Sequence, residues 1–183
     1  MMADIKVYDI EKDELNFDFD YHPIETNSLH KLLNNKSNIS INDIRRVALW
    51  KLSRVIDIPD SVLEMLGQLA LIKNLKIRDE LSLSAISELI KCDGVGFPIA
   101  STILKFLRPD VYPIIDIRAY RVLTGRQLNS SSYHLELYLG YVDQIRKISE
   151  TKGIPLNQVD EQLYEFDKKH NGNINNPGKP STL

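Results

Sequence analysis

Two glycines and a carboxylate are the residues best placed for chemistry in this chain: Gly94 and Gly96 flank Val95, and Asp116 follows Gly96 by twenty residues. Glycine has no Cβ, so at Gly94 and Gly96 the backbone can turn sharply with positive φ and bring its N–H groups close to another molecule. Those N–H groups adjoin the start of a following helix, whose positive dipole end favours an anion such as a phosphate. Gly94, Val95, Gly96 and Phe97 therefore read as a clamp that holds a phosphate without reading sequence. A carboxylate beside such a clamp can stabilise developing positive charge and orient a water molecule. The plainer readings are a tight helix-to-helix turn for the glycines and a helix N-cap for Asp116.

Helical spacing supplies the elements that must position these residues. Ser40 and Asp43 form a capping-box pattern ahead of INDIRRVALWKLSRVI, where Ile44, Val47, Ala48, Val55 and Ile56 lie on or near one face. A second helix follows Pro59 and Asp60 to about Lys73, and a third is expected over Ser84 to Cys92. Beyond DGVG, the residues Ile99, Ala100, Ile103, Leu104 and Leu107 resume the pattern. RPDVYPII reads as a connector, with Asp116 capping IRAYRVLT and Gly125 ending it. Two more helices carry Tyr138, Tyr141, Val142, Ile145 and Ile148 up to Gly153, and then Val159, Leu163 and Phe166. LNFDFDYH alternates apolar and polar residues as an extended segment does, so residues 1–26 are expected to be extended, 27–170 a single helical domain, and 171–183 a disordered tail. The fold class expected is all-α, a compact helical bundle.

A helix from Phe97 to Leu107 advances about 16 Å, and residues 108 to 115 can span up to about 28 Å on the return. Asp116 can therefore come back beside the glycine turn.

Composition narrows the classes. Hydrophobic residues at 43% and charged residues at 26% exclude a collagen-like or wholly disordered chain. With no apolar run near the roughly 20 residues of a membrane span and no signal-peptide core, a cytoplasmic protein is expected. Cys92 is the only cysteine, which excludes an intramolecular disulfide and any site built from several thiolates, so neither metal nor cofactor is expected. The formal charge of −2 runs against a phosphate-binding protein, although local clustering matters more than the total.

Leu89, Gly94, Val95, Gly96, Ala100 and Asp116 together resemble the signature of the helix-hairpin-helix DNA glycosylases: a leucine-rich helix, a Gly-hydrophobic-Gly hairpin, an alanine four residues on, and a downstream aspartate. PIIDIRAYRVL is similar to the segment around the catalytic aspartate of endonuclease III and the adenine-mismatch glycosylases. The likeness covers about 35 residues, 89 to 123. It implies a helix-hairpin-helix core, double-stranded DNA as partner with a flipped base, a monomer, and Asp116 as the catalytic carboxylate in base excision. It also implies that the hairpin residues and Arg118 contact phosphate, and that Trp50 and Lys51, on a helix corresponding to one that supplies wedge and pocket residues, contact the opened duplex, with Arg54 near the backbone. Arg121 is expected to pair within the fold.

The sequence departs from that family at two positions. Bifunctional members carry a lysine nucleophile where Pro98 stands, so the resemblance implies a monofunctional enzyme that uses water; Pro98 itself suits the first turn of a helix. Lys51, Lys91 and Lys105 read as solvated helix positions rather than substitutes. Asp93 occupies a place where relatives often have proline, and its charge opposes a phosphate. The alternatives are a non-catalytic helix-hairpin-helix DNA-binding module and a helical protein-interaction domain.

Overall fold

The computed structural model describes residues 21–34, 37–171 and 174, with Ser130 described by its backbone alone. The extended segment expected over the first twenty residues lies outside the described residues, as does the tail beyond Asn171 except Ile174. Among the described residues the regular structure is helical: α1 (Pro23–Leu33), α2 (Ile41–Lys51), α3 (Asp60–Leu71), α4 (Glu80–Leu89), α5 (Phe97–Leu107), α6 (Ile117–Thr124), a 3-10 turn at Ser130–Ser132, α7 (Leu135–Lys152) and α8 (Leu156–Asn171). The all-α class holds. The chain divides into two compact units, Met1–Val55 and Ile56–Leu183.

The first unit pairs α1 with α2. Residues 23–26, expected to be extended, are instead the first turn of α1: Pro23 presets φ at the helix start, and Glu25 sits at the positive end of the dipole. α2 opens on the expected capping box, with Ser40 Oγ accepting from Asp43 N–H and Asp43 Oδ2 accepting from Ser40 N–H. It ends at Lys51, earlier than the periodicity implies, and Ser53 takes a positive φ of 53° just beyond. Its inward side carries Asp43, Val47 and Trp50, whereas Ile44 and Ala48 are exposed. The apolar spacing therefore marks an outward stripe.

The second unit buries one core. Leu69, Ile86, Leu89, Leu104 and Ile145 are fully enclosed, together with Tyr112, Tyr138 and Tyr141. Each phenol finds a partner in that core. Tyr112 Oη shares a hydrogen bond with Ser82 Oγ, Tyr138 Oη donates to the Pro113 carbonyl and Tyr141 Oη to the Ile114 carbonyl. Without partners, these buried hydroxyls would each cost about 1–3 kcal/mol. Burial pushes the Tyr112 phenol up to about 12. Arg108 supplies what the end of α3 lacks, donating to the carbonyls of Leu69 and Ile72 while its Nε and Nη2 grip Asp110. α4 starts at Glu80 rather than Ser84, behind Asp79. α6 and α7 end at Gly125 and Gly153 as expected, with φ of 69° and 64°, values open to glycine at no steric cost.

Candidate functional site

The hairpin between α4 and α5 takes its shape from one positive φ. Gly94 has φ 76°, while Gly96 is extended at φ −89° and serves as the N-cap of α5. The expectation of left-handed backbone at both glycines is therefore corrected at Gly96. A Cβ there would meet only Pro98 Cδ, at 3.8 Å, so the fold itself leaves room for a side chain at this exposed position. No side chain caps α5, and its first N–H groups lack helical acceptors. Pro98 occupies the first turn, where its missing N–H costs nothing. Val95 and Phe97 turn inward, at 4% and 8% exposure, so they anchor the hairpin and only its backbone faces out. Asp93 is exposed, and its carbonyl accepts from Asp57 N–H.

Asp116 is half-buried and caps α6, with Oδ1 accepting from Arg118 N–H at 2.7 Å. It lines an open cavity of about 340 Å³ with Ile114, Asp160, Glu161, Tyr164 and Glu165. Three of the carboxylates there are paired with lysines: Asp160 and Glu161 with Lys105, Glu165 with Lys168. Among the described residues no ion pair involves Asp116.

Hydrogen bonds from three helices fix the strand of backbone that delivers Asp116. Tyr138 and Tyr141 on α7 hold the carbonyls of Pro113 and Ile114, and Asp160 on α8 accepts from Ile114 N–H at 2.9 Å. Ser101 on α5 accepts from Ile115 N–H at 3.2 Å and donates to the Pro98 carbonyl at 3.0 Å. Two hydrogen bonds thus separate the first turn after the hairpin from the residue before Asp116. Tyr133 makes a second link: its ring stacks on Phe97 with centroids 6.2 Å apart, and its phenol is raised first by burial and then by the negative charge of Asp116. These contacts tie the segment that delivers Asp116 to α5, the helix that follows the glycine turn.

Several side chains have duties that the sequence reading did not assign. Arg118, expected at phosphate, pairs with the fully buried carboxylate of Asp167 at 3.0 Å and lies 5.8 Å from the Tyr164 ring. Arg121 makes the internal pair expected of it, with Nε and Nη2 on the two oxygens of Asp167. These contacts hold the Asp167 carboxyl at about 2. Lys105 is buried rather than solvated, and its Nζ sits 2.9 Å from both oxygens of Asp160. Burial still raises the Asp160 carboxyl above its ordinary range despite that lysine. Lys91 is exposed and pairs with Glu88 one turn earlier, as a solvated position does.

Trp50 and Lys51 belong to the first unit. Trp50 Nε1 donates to Thr26 Oγ1 at 2.9 Å, and its ring meets Tyr21 edge-on at 5.1 Å, so it packs α2 on α1. It also lines an apolar cavity of about 390 Å³ with Leu29, Leu33 and Val47. Lys51 and Arg54 are exposed. Sequence reasoning missed Tyr133, Ser101 and Asp160; only the succession of helices, not any motif, could have pointed to them. No family model matches the chain, and no curated protein or solved structure matches it either.

Proposed function

We propose that this chain is a monofunctional DNA glycosylase with a helix-hairpin-helix core, in which Asp116 carries the chemistry. The observation that most supports this reading is the short hydrogen-bonded path from the Pro98 carbonyl through Ser101 to Ile115, which links the first turn after the hairpin to the residue before Asp116. The partner is double-stranded DNA, bound by a monomer. The hairpin backbone from Gly94 to Phe97 takes a phosphate, and a flipped nucleotide meets the carboxylate. As the bond between C1′ and the base nitrogen breaks, its electron pair leaves with the base and the sugar gains oxocarbenium character. The Asp116 carboxylate lowers the energy of that cation and accepts a proton from the water that attacks C1′, leaving an abasic site. The departing base is protonated from solvent. Pro98 offers no amine, so no Schiff base forms.

An abasic-site assay over lesion-bearing duplexes tests this reading. Wild type is expected to release a base from at least one duplex, Asp116→Asn to lose about a hundredfold or more in rate, and borohydride to trap no adduct. Equal rates in both proteins would remove Asp116 from the mechanism. Pro98 in place of a lysine nucleophile, Asp93 beside the hairpin and the formal charge of −2 suggest a second reading, a DNA-binding module that keeps the clamp without turnover. Salt-dependent duplex binding with no base release would select it.

A further inference from the structure

From Tyr21 to Val55 the chain is basic, although as a whole it is not. Residues 21–55 carry Lys31, Lys36, Arg45, Arg46, Lys51 and Arg54 against Glu25 and Asp43. Glu25 is engaged by Arg46 through both oxygens, and Asp43 is buried in its capping box. The charge this stretch exposes among the described residues is consequently cationic, at Lys31, Arg45, Lys51 and Arg54.

α2 also turns an apolar stripe outward. Ile41, Ile44 and Leu52 are 62%, 52% and 68% exposed, and with Ala48 they fall on one helical face, between Arg45 and Lys51. An aliphatic row flanked by cations calls for a partner that is apolar and acidic together.

The twenty residues before Tyr21 have that composition. They hold seven Asp and Glu against Lys6 and Lys12, interleaved with Ile5, Val7, Ile10, Leu15, Phe17 and Phe19. Their point of attachment is also set, because Tyr21 Oη donates to the carbonyls of Trp50 and Lys51, at the C-terminal end of α2. α2 is about 16 Å long, while twenty residues can reach about 66 Å, so any point on its outward face is within the tether. Attachment keeps the effective concentration of such a segment in the millimolar range, where individually weak contacts suffice.

We propose that residues 1–20 dock on the outward face of α2 within the same molecule, apolar side chains over Ile41, Ile44 and Leu52 and carboxylates against Arg45, Lys51 and Arg54. The docked segment competes with any polyanion for those cations. Photo-crosslinking of the full chain carrying Phe17→p-benzoylphenylalanine tests it, with circular dichroism to verify the fold. The expected result is adducts within residues 41–54 whose yield does not change on dilution. Adding Asp18→Lys and Asp20→Lys should cut that yield about three- to tenfold. Adducts that join two chains and fade on dilution would overturn the proposal in favour of a second copy. Adducts on Leu29 or Leu33, adducts in the second unit, no adduct at all, or a yield indifferent to the two charge reversals would each overturn it as well.

Discussion

Replacing Asp167 by asparagine tests how the helix behind Asp116 is held. Asp167 is fully buried on α8 and receives Arg118 and Arg121 from α6, with Asn171 Nδ2 as a further donor. The Arg121 contact is the largest cause of its carboxyl being held at about 2 instead of 3.8. A difference of that size, at about 1.4 kcal/mol per unit, corresponds to roughly 2–3 kcal/mol in favour of the charged folded form. Because the folded value lies below the unfolded one, this stability is fully present above about pH 4 and is lost as pH falls through 2. Asparagine keeps the shape and one acceptor but not the charge, so Asp167→Asn should unfold about 2–3 kcal/mol more easily at pH 7. The gap should close towards pH 2. Urea unfolding of both proteins, followed in the near-ultraviolet circular dichroism of the buried tyrosines at pH 7, 5, 3 and 2, measures it. A variant as stable as wild type at pH 7, or a gap that ignores pH, would refute the assignment.

Three further outcomes follow from the same geometry. Gly94→Ala should lose about 1–2 kcal/mol of stability because its φ is 76°, whereas Gly96→Ala should melt like wild type yet bind duplex DNA more weakly, since only an outside molecule needs that space. Thermal melts and a salt-controlled binding titration separate the two. Lys105→Met strands the buried Asp160 carboxylate, so a loss of about 3–5 kcal/mol is expected in urea unfolding; an unchanged midpoint would show that the pair is dispensable. Asp93→Asn removes an exposed negative charge beside the hairpin and should tighten duplex binding severalfold at low salt, an advantage that fades as salt rises.

The signals that could be read from the sequence were local. Ser40 with Asp43, Pro98, Asp116, Gly125 and Gly153 announce helix ends because a cap or a left-handed residue acts on backbone groups within a few positions. α1 escaped notice since it buries only Leu29, too little apolar spacing to stand out beside an alternating stretch. The outward direction of the apolar stripe on α2 was not legible for a related reason: periodicity shows that a helix has an apolar side, not which way that side points.

Sequence alone determined that the chain is helical, where most helices stop, and that Asp116 begins one of them, because hydrophobic period and capping chemistry are properties of neighbouring residues. Tertiary structure alone decided which charges are committed. Lys105 meets Asp160 across 55 residues of chain, and Arg118 meets Asp167 across 49. An ion pair depends on distance in space and on the water removed around it, and neither is written in the spacing of residues along the chain.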